Sequence, residues 1–166
     1  MEKKIYFTTF ATNFKTVTLV GNEDGLLHLE LEHHDGKRIF EIDCNWLRND
    51  EFFTPVVIQL KEYFSGKRKI FDNIQLNIQG TKFQELVWKQ LMEIPYGECW
   101  TYKDVACAIG RPTASRAVGM ANSKNKIPII IPCHRVISTS RKLTGFAHGL
   151  SLKKKLLELE DIKNIS

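Results

Sequence analysis

A cysteine followed at once by a histidine places a nucleophile beside a base. This chain has one such pair, Cys133-His134, inside the stretch "IPIIIPCHRV" at residues 127–136. The thiolate is the reactive form of cysteine, and a neutral imidazole within reach can take the thiol proton. In an extended strand the two side chains would point to opposite faces. Pro132 resolves this, because it holds Ile131 extended and is itself suited to begin a helical turn. The expectation is a buried strand over "IPIII" and a turn over "PCHR", with free N–H groups at the turn favouring the thiolate. Isoleucine is a core residue and arginine almost never is, so the chain should pass here from the interior to a working surface. A third group should orient His134, and Glu160 at the end of the last helical segment, residues 151–160, is the candidate. The competing structural reading is a buried inert cysteine followed by a surface His-Arg pair.

The elements that must position these groups differ between the two halves. Residues 6–10, 14–20 and 26–31 are rich in β-branched and aromatic residues, with a hairpin turn over 21–25. After Asn49-Asp50, a plausible N-cap, "FFTPVVIQLKEYF" spaces Phe53, Val56, Val57, Leu60 and Phe64 as a helix does, closed by Gly66. Residues 70–78 return to alternation. At Gly80 the character changes. Thr81 to Gln84 forms a capping box for a helix with Phe83, Val87, Leu91 and Ile94 on one face. Thr101 caps a short helix through Ile109, with Gly110 after it and Pro112 opening the next helix, which runs to about Ser123. Two short helices joined by a few residues containing glycine form a helix-turn-helix. The second is lined with small residues, Ala114, Ser115, Ala117, Gly119 and Ala121, which admit close approach of another helix or of nucleic acid. Arg116 is its one long cation. With so few base-reading side chains, such a helix would bind DNA through phosphates and with little sequence preference. The fold class expected is α+β, with a small β-rich domain over residues 1–79 and a mainly helical one over 80–166.

Bulk properties agree with one ordinary domain or two small ones. Residues 1–80 carry 10 Lys and Arg against 12 Asp and Glu, whereas residues 81–166 carry 14 against 7. All of the net positive charge therefore lies in the second half, as for a polyanion partner. The four cysteines, at 44, 99, 107 and 133, show no paired spacing, which argues against a zinc site or a disulfide framework. No metal or cofactor is expected. The start, "MEKKIYFTTF", lacks an apolar segment of signal-peptide length, and no stretch approaches the roughly 20 residues of a membrane span. The expectation is a cytoplasmic protein with reduced thiols.

The segments "GTKFQELVW", "IPYGECWTYKDVA", "GRPTASRAVGMANSKN", "IPCHRVI" and "LKKKLLELE" follow one another in an order and spacing that closely resemble the O6-alkylguanine-DNA alkyltransferases, also called methylated-DNA–protein-cysteine methyltransferases. The resemblance covers about residues 63–160, and the first sixty residues match only in length and strand character. It implies a ribonuclease H-like N-terminal domain and direct, stoichiometric repair of O6-alkylguanine, with O4-alkylthymine as a further substrate class. The partner would be double-stranded DNA, bound by a monomer that needs no obligate protein partner and no cofactor. By the same resemblance Cys133 accepts the alkyl group, His134 is its water-bridged base and Glu160 orients His134. Asn125 braces the turn before the active-site segment, and Tyr102 donates to the departing guanine and crowds the neighbouring phosphate. Arg116 fills the gap left by the extruded nucleotide, with Lys103, Arg111, Ala114, Ser115 and Tyr102 on the DNA. Pro128, Val136, Phe146, Ala147 and Lys153 line the alkyl pocket. The chain departs from the pattern at Lys126, where proline is usual and the brace would loosen or gain a phosphate contact. It departs also at Phe146 for tyrosine, at His148 for glycine and at Gln75 for proline.

Three other classes are compatible with parts of this pattern. A helix-turn-helix regulator could use Cys133 as a sensor, and would prefer one DNA site. A cysteine hydrolase or acyltransferase would turn over many times on a small ester. Non-enzymatic lesion binders related to the alkyltransferases lack the cysteine that stands at 133.

Overall fold

The computed structural model describes residues 1–32 and 40–166, which fall into two units, Met1–Ile78 and Gln79–Ser166. In the first unit, β1 (Tyr6–Ala11), β2 (Thr16–Asn22), β3 (Gly25–Leu31) and β4 (Leu47–Arg48) form a sheet in the order β3-β2-β1-β4. β2 pairs antiparallel with both β1 and β3, and β4 is parallel to β1. The hairpin is tighter than the expected turn over 21–25, because the Asn22 side chain accepts from the Asp24 N–H at 2.9 Å. Gly25 has φ +134°, and a Cβ there would stand 2.6 Å from the Gln75 carbonyl oxygen, so only glycine fits.

Val17, Leu19, Leu29 and Leu31 of this sheet are buried, as are Leu60, Tyr63 and Phe64 of α1 (Thr54–Phe64). The helix starts later than expected. A 3-10 turn over Glu51–Phe53 comes first, with Asn49 accepting from the Phe52 N–H, and Asp50 is drawn instead to Thr8 and Arg48. The expected strand over 70–78 is reduced to one bridge between Leu26 and Leu76. Asn73 takes φ +52°, and Gln59 bonds both backbone groups of Asp72, which breaks the extended run.

The second unit holds α2 (Lys82–Leu91), β5 (Trp100–Thr101), α3 (Tyr102–Ala108), α4 (Ser115–Ser123), β6 (Val136–Ile137) and α5 (Leu150–Leu159). Thr81 and Gln84 form the capping box of α2, and Thr101 and Asp104 form that of α3. Gly110, at φ +74°, ends α3: the Arg111 N–H reaches back to the Ala106 carbonyl and the Gly110 N–H to that of Cys107. α4 begins at Ser115 rather than Pro112, since residues 111–114 form a separate turn closed by the Ala114 N–H on the Arg111 carbonyl. α3 and α4 are thus the two helices of a helix-turn-helix. Trp88 of α2 donates to the Ala121 carbonyl at 2.8 Å and holds α4 in place. Gly119 faces the ring of Tyr102, with 3.8 Å from an added Cβ to the ring carbons, so part of the small-residue face is turned to α3.

The expected strand over residues 127–131 is instead a tight turn. Its bonds run from the Ile131 N–H to the Ile127 carbonyl and from the Ile130 N–H to the Pro128 carbonyl. The buried Ile129 sits at φ +75°, which costs a β-branched residue on the order of 1–2 kcal/mol. Asn125 holds the turn from both ends. Its Oδ1 accepts from the Ile127 N–H at 2.9 Å, and its Nδ2 donates to the Ile131 carbonyl at 2.8 Å. The exposed Lys126 leaves these bonds intact. Parallel pairing of Trp100 with Val136 and of Thr101 with Ile137 then sets the start of α3 beside the cysteine segment.

Candidate active site

Cys133, His134 and Arg135 form a single 3-10 turn that opens at Pro132. α5 ends with Glu160 as its C-cap, directly against this turn. His134 Nε2 lies 2.7 Å from Glu160 Oε1, and both residues are buried, at 0% and 2% exposure. An N–H on Nε2 leaves Nδ1 as an acceptor, and Nδ1 is buried without a partner among the described residues. Burial pushes the His134 imidazole below its ordinary pKa. Glu160 pulls it the other way, while Arg135 and Lys153 add to the downward shift.

Arg135 overturns the expected emergence at a surface, for it is only 6% exposed. Its Nε donates to Glu160 Oε2 at 2.8 Å, Nη2 to Oε1 at 3.0 Å and Nη1 to the Ile94 carbonyl at 2.7 Å. The guanidinium also lies 5.7 Å from the centre of the Tyr96 ring. A buried arginine needs such a full set of acceptors, which here come from two distant segments, the loop after α2 and the end of α5.

Cys133 is 4% exposed, so the sulfur is not carried out to an open surface. Burial pushes its thiol up to about 11, although Asn125, Lys153 and the backbone N–H groups of Cys133 and His134 all act downward. The N–H groups at the turn act toward the thiolate as expected, and desolvation by burial outweighs them. Asn122 of α4 is buried and donates to the Cys133 carbonyl at 3.4 Å, which puts the arginine-bearing helix next to the cysteine.

Lys153 of α5 is fully buried, with Nζ donating to the Val136 carbonyl at 2.6 Å and the Thr144 carbonyl at 2.9 Å. Burial lowers its pKa to about 8, against the pull of Cys133. Tyr102 lies over the same segment. Its hydroxyl would be 3.1 Å from a Cβ at Gly145, and burial raises the phenol's pKa while a hydrogen bond with Thr144 opposes. Of the expected pocket residues, Val136 and Pro128 are buried, Phe146 is half-buried 5.4 Å from the His148 ring, and Ala147 is exposed. Arg116, Lys103 and Arg111 are exposed, Ala114 and Ser115 half-buried; Arg111 lies over the Phe83 ring at 5.8 Å.

Three groups of this cluster escaped residue-level reading. Arg135 reads in sequence as a surface residue. Trp88 offered only an apolar position on α2. Asn122 had a signal, since it lies four residues after Val118 and so on the core side of α4, where a polar side chain must be bonded.

A buried thiol followed by a carboxylate-held histidine, in a unit that carries a helix-turn-helix, has the makings of a nucleophile and its base. The chain belongs to the 6-O-methylguanine DNA methyltransferase family: residues 82–162 match that family's DNA-binding domain and residues 5–78 its ribonuclease-like domain. It is 50% identical over 157 residues to a methylated-DNA–protein-cysteine methyltransferase of Methanosarcina barkeri, covering 95% of this chain and 98% of that one. To a protein of the same name from Mycobacterium bovis it is 42% identical over 158 residues, covering 94% and 92%. Its fold is similar to that of Mycobacterium tuberculosis OGT in complex with DNA, with TM-score 0.84 at 41% identity over 93% of this chain and 92% of that one. An O6-methylguanine DNA methyltransferase from Methanococcus jannaschii gives a TM-score of 0.67 at 28% identity, covering 96% of each chain.

Proposed function

We propose that the protein repairs DNA by moving an alkyl group from O6 of guanine in a duplex to Sγ of Cys133, once per molecule. O4-alkylthymine is the next candidate substrate. The observation that carries this reading is the bonded His134–Glu160 pair, whose second imidazole nitrogen is without a partner among the described residues, on the residue that directly follows a buried thiol.

The alkyl carbon of such a lesion lies inside the base stack, so the nucleotide must be turned out at a cost of about a few kcal/mol. Weak pairing of the damaged base lowers that cost where it matters. Arg116, exposed on α4, fills the vacated space, and Lys103, Arg111, Ala114 and Ser115 approach the backbone. In the pocket His134 takes the thiol proton on Nδ1, directly or through water. The sulfur electron pair attacks the alkyl carbon in line, the carbon–O6 bond breaks, and its electrons pass to the guanine ring. The proton returns to the leaving base with Tyr102 as donor to it, and guanine is restored. Lys153 lends positive charge near the sulfur, while Asn125 and Glu160 keep the turn and the imidazole in place. Val136, Pro128, Phe146 and Ala147 bound the alkyl group.

The product is a thioether, which offers water no good leaving group, so no second step regenerates the thiol. The protein acts as a monomer, without metal or cofactor. Its four thiols are free, which supports a reducing, cytoplasmic setting. An O6-methylguanine duplex in excess is expected to add one methyl per chain by intact mass, with no turnover of small esters. Repeated turnover of an ester would put the protein with the cysteine hydrolases. Arg116→Ala is expected to slow repair in duplex about tenfold, a part of the cost of extrusion, and to change reaction with free O6-alkylguanine base much less. Equal losses on the two substrates would contradict the finger role.

A further inference from the structure

We infer that Arg135 is a positioning residue of the transfer reaction: by gripping Glu160 it keeps His134 uncharged, with the Nδ1 lone pair open to the Cys133 proton. The inference rests on the reading of Cys133 as the alkyl acceptor. A single carboxylate serves two neighbouring residues of one turn. Glu160 Oε1 receives both His134 Nε2 and Arg135 Nη2, and Oε2 receives Arg135 Nε. The third guanidinium nitrogen is fixed on the Ile94 carbonyl, so the fork cannot swing away.

A lone carboxylate beside a buried histidine draws it toward imidazolium. An imidazolium carries protons on both nitrogens and cannot accept another. The permanently charged guanidinium offsets the carboxylate and removes that pull. The charged groups acting on His134 are Glu160 at the end of α5, Lys153 within α5, and Arg135 of its own turn, in which Cys133 precedes it. Burial, Arg135 and Lys153 all favour the neutral ring, and Glu160 alone opposes them. The transfer step then balances: the thiol proton goes to Nδ1, the sulfur pair goes to the alkyl carbon, and the proton passes on to the released guanine. His134 returns to its starting form.

The test compares single-turnover transfer from an O6-methylguanine duplex by wild type, Arg135→Gln and Arg135→Lys across pH 5–9, with the methyl mapped in each. For Arg135→Gln the pH below which transfer is lost is expected to rise by about one unit or more. For Arg135→Lys, which keeps the charge but not the fork, that pH should stay near the wild-type value while the rate falls. A uniform loss in Arg135→Gln at all pH values, with the acid limb unmoved, would reduce Arg135 to a structural bond and overturn the inference. Should Arg135→Gln fail to fold, nitrogen-15 NMR of His134 in wild type decides: a neutral Nε2–H ring at pH 6 supports the proposal, and an imidazolium there refutes it. Wild type that places no methyl on Cys133 would sink the acceptor reading instead, while the NMR result still reports on the ring.

Discussion

Glu160→Gln is expected to slow alkyl transfer by on the order of 10⁴-fold, the scale seen when the carboxylate behind a catalytic histidine is neutralised. Glutamine keeps the shape but has one acceptor oxygen, where the carboxylate now takes His134 Nε2, Arg135 Nε and Arg135 Nη2. Its amide N–H groups would face donors. The imidazole loses the contact that keeps its proton on Nε2, and the buried guanidinium is left without a counter-charge. Removing one member of a buried pair costs about 3–5 kcal/mol, so the variant should also unfold at lower urea. Burial raises the Glu160 carboxyl, but bonding from His134 and Arg135 outweighs it and holds the group at about 2, below the ordinary 4.5. A depressed carboxyl stabilises the fold above its unfolded value, and that share is lost as pH falls through its folded value. The stability gap between wild type and Glu160→Gln should therefore narrow as pH falls from about 4.5 toward 2. Urea titrations at pH 7 and pH 3 check this. A gap unchanged with pH would mean that the carboxylate is not ionised against Arg135.

Lys153→Met should slow transfer about tenfold or more, since a cation beside a thiolate shifts its titration by a unit or more. Methionine fills the volume but releases the Val136 and Thr144 carbonyls, which Nζ ties together. The pH dependence of stability has a definite sign. Burial holds Lys153 at about 8, so between 8 and the ordinary 10.5 the unfolded chain binds the proton more tightly and stability rises with pH. Cys133 works oppositely but only above 9, because burial lifts it from 9.0 to about 11 and its share is lost over that range. Wild type should thus gain stability from pH 8 to 9, and Lys153→Met should not. A rise that persists in the variant would assign it to another group.

Much of this arrangement was legible because it depends on local chemistry. Threonine three residues before a glutamine or an aspartate marks where α2 and α3 begin, and Gly110 marks where α3 ends. Cys133, His134 and Glu160 stand out by residue type and by the end of a helix, and the structure joins the last two at 2.7 Å. What failed depends on distant partners. A run of isoleucines reads as a strand, yet Asn125 bonds to Ile127 and Ile131 and Ile129 adopts a left-handed backbone, so a turn forms. Arg135 reads as a surface residue because nothing nearby in sequence can satisfy it. Its acceptors are Ile94 and Glu160, 41 and 25 residues away. Two-residue strands such as β5 and β6 carry no periodicity at all, though they bring Tyr102 to the site.

The central claim is that the sulfur of Cys133 is where the alkyl group ends. Peptide mass mapping after incubation with an O6-methylguanine duplex tests it most directly. A single methyl on the peptide containing Cys133, absent in a Cys133→Ala variant that still binds the duplex, is the result expected. A methyl on Cys44, Cys99 or Cys107, or none on a folded protein, would contradict it.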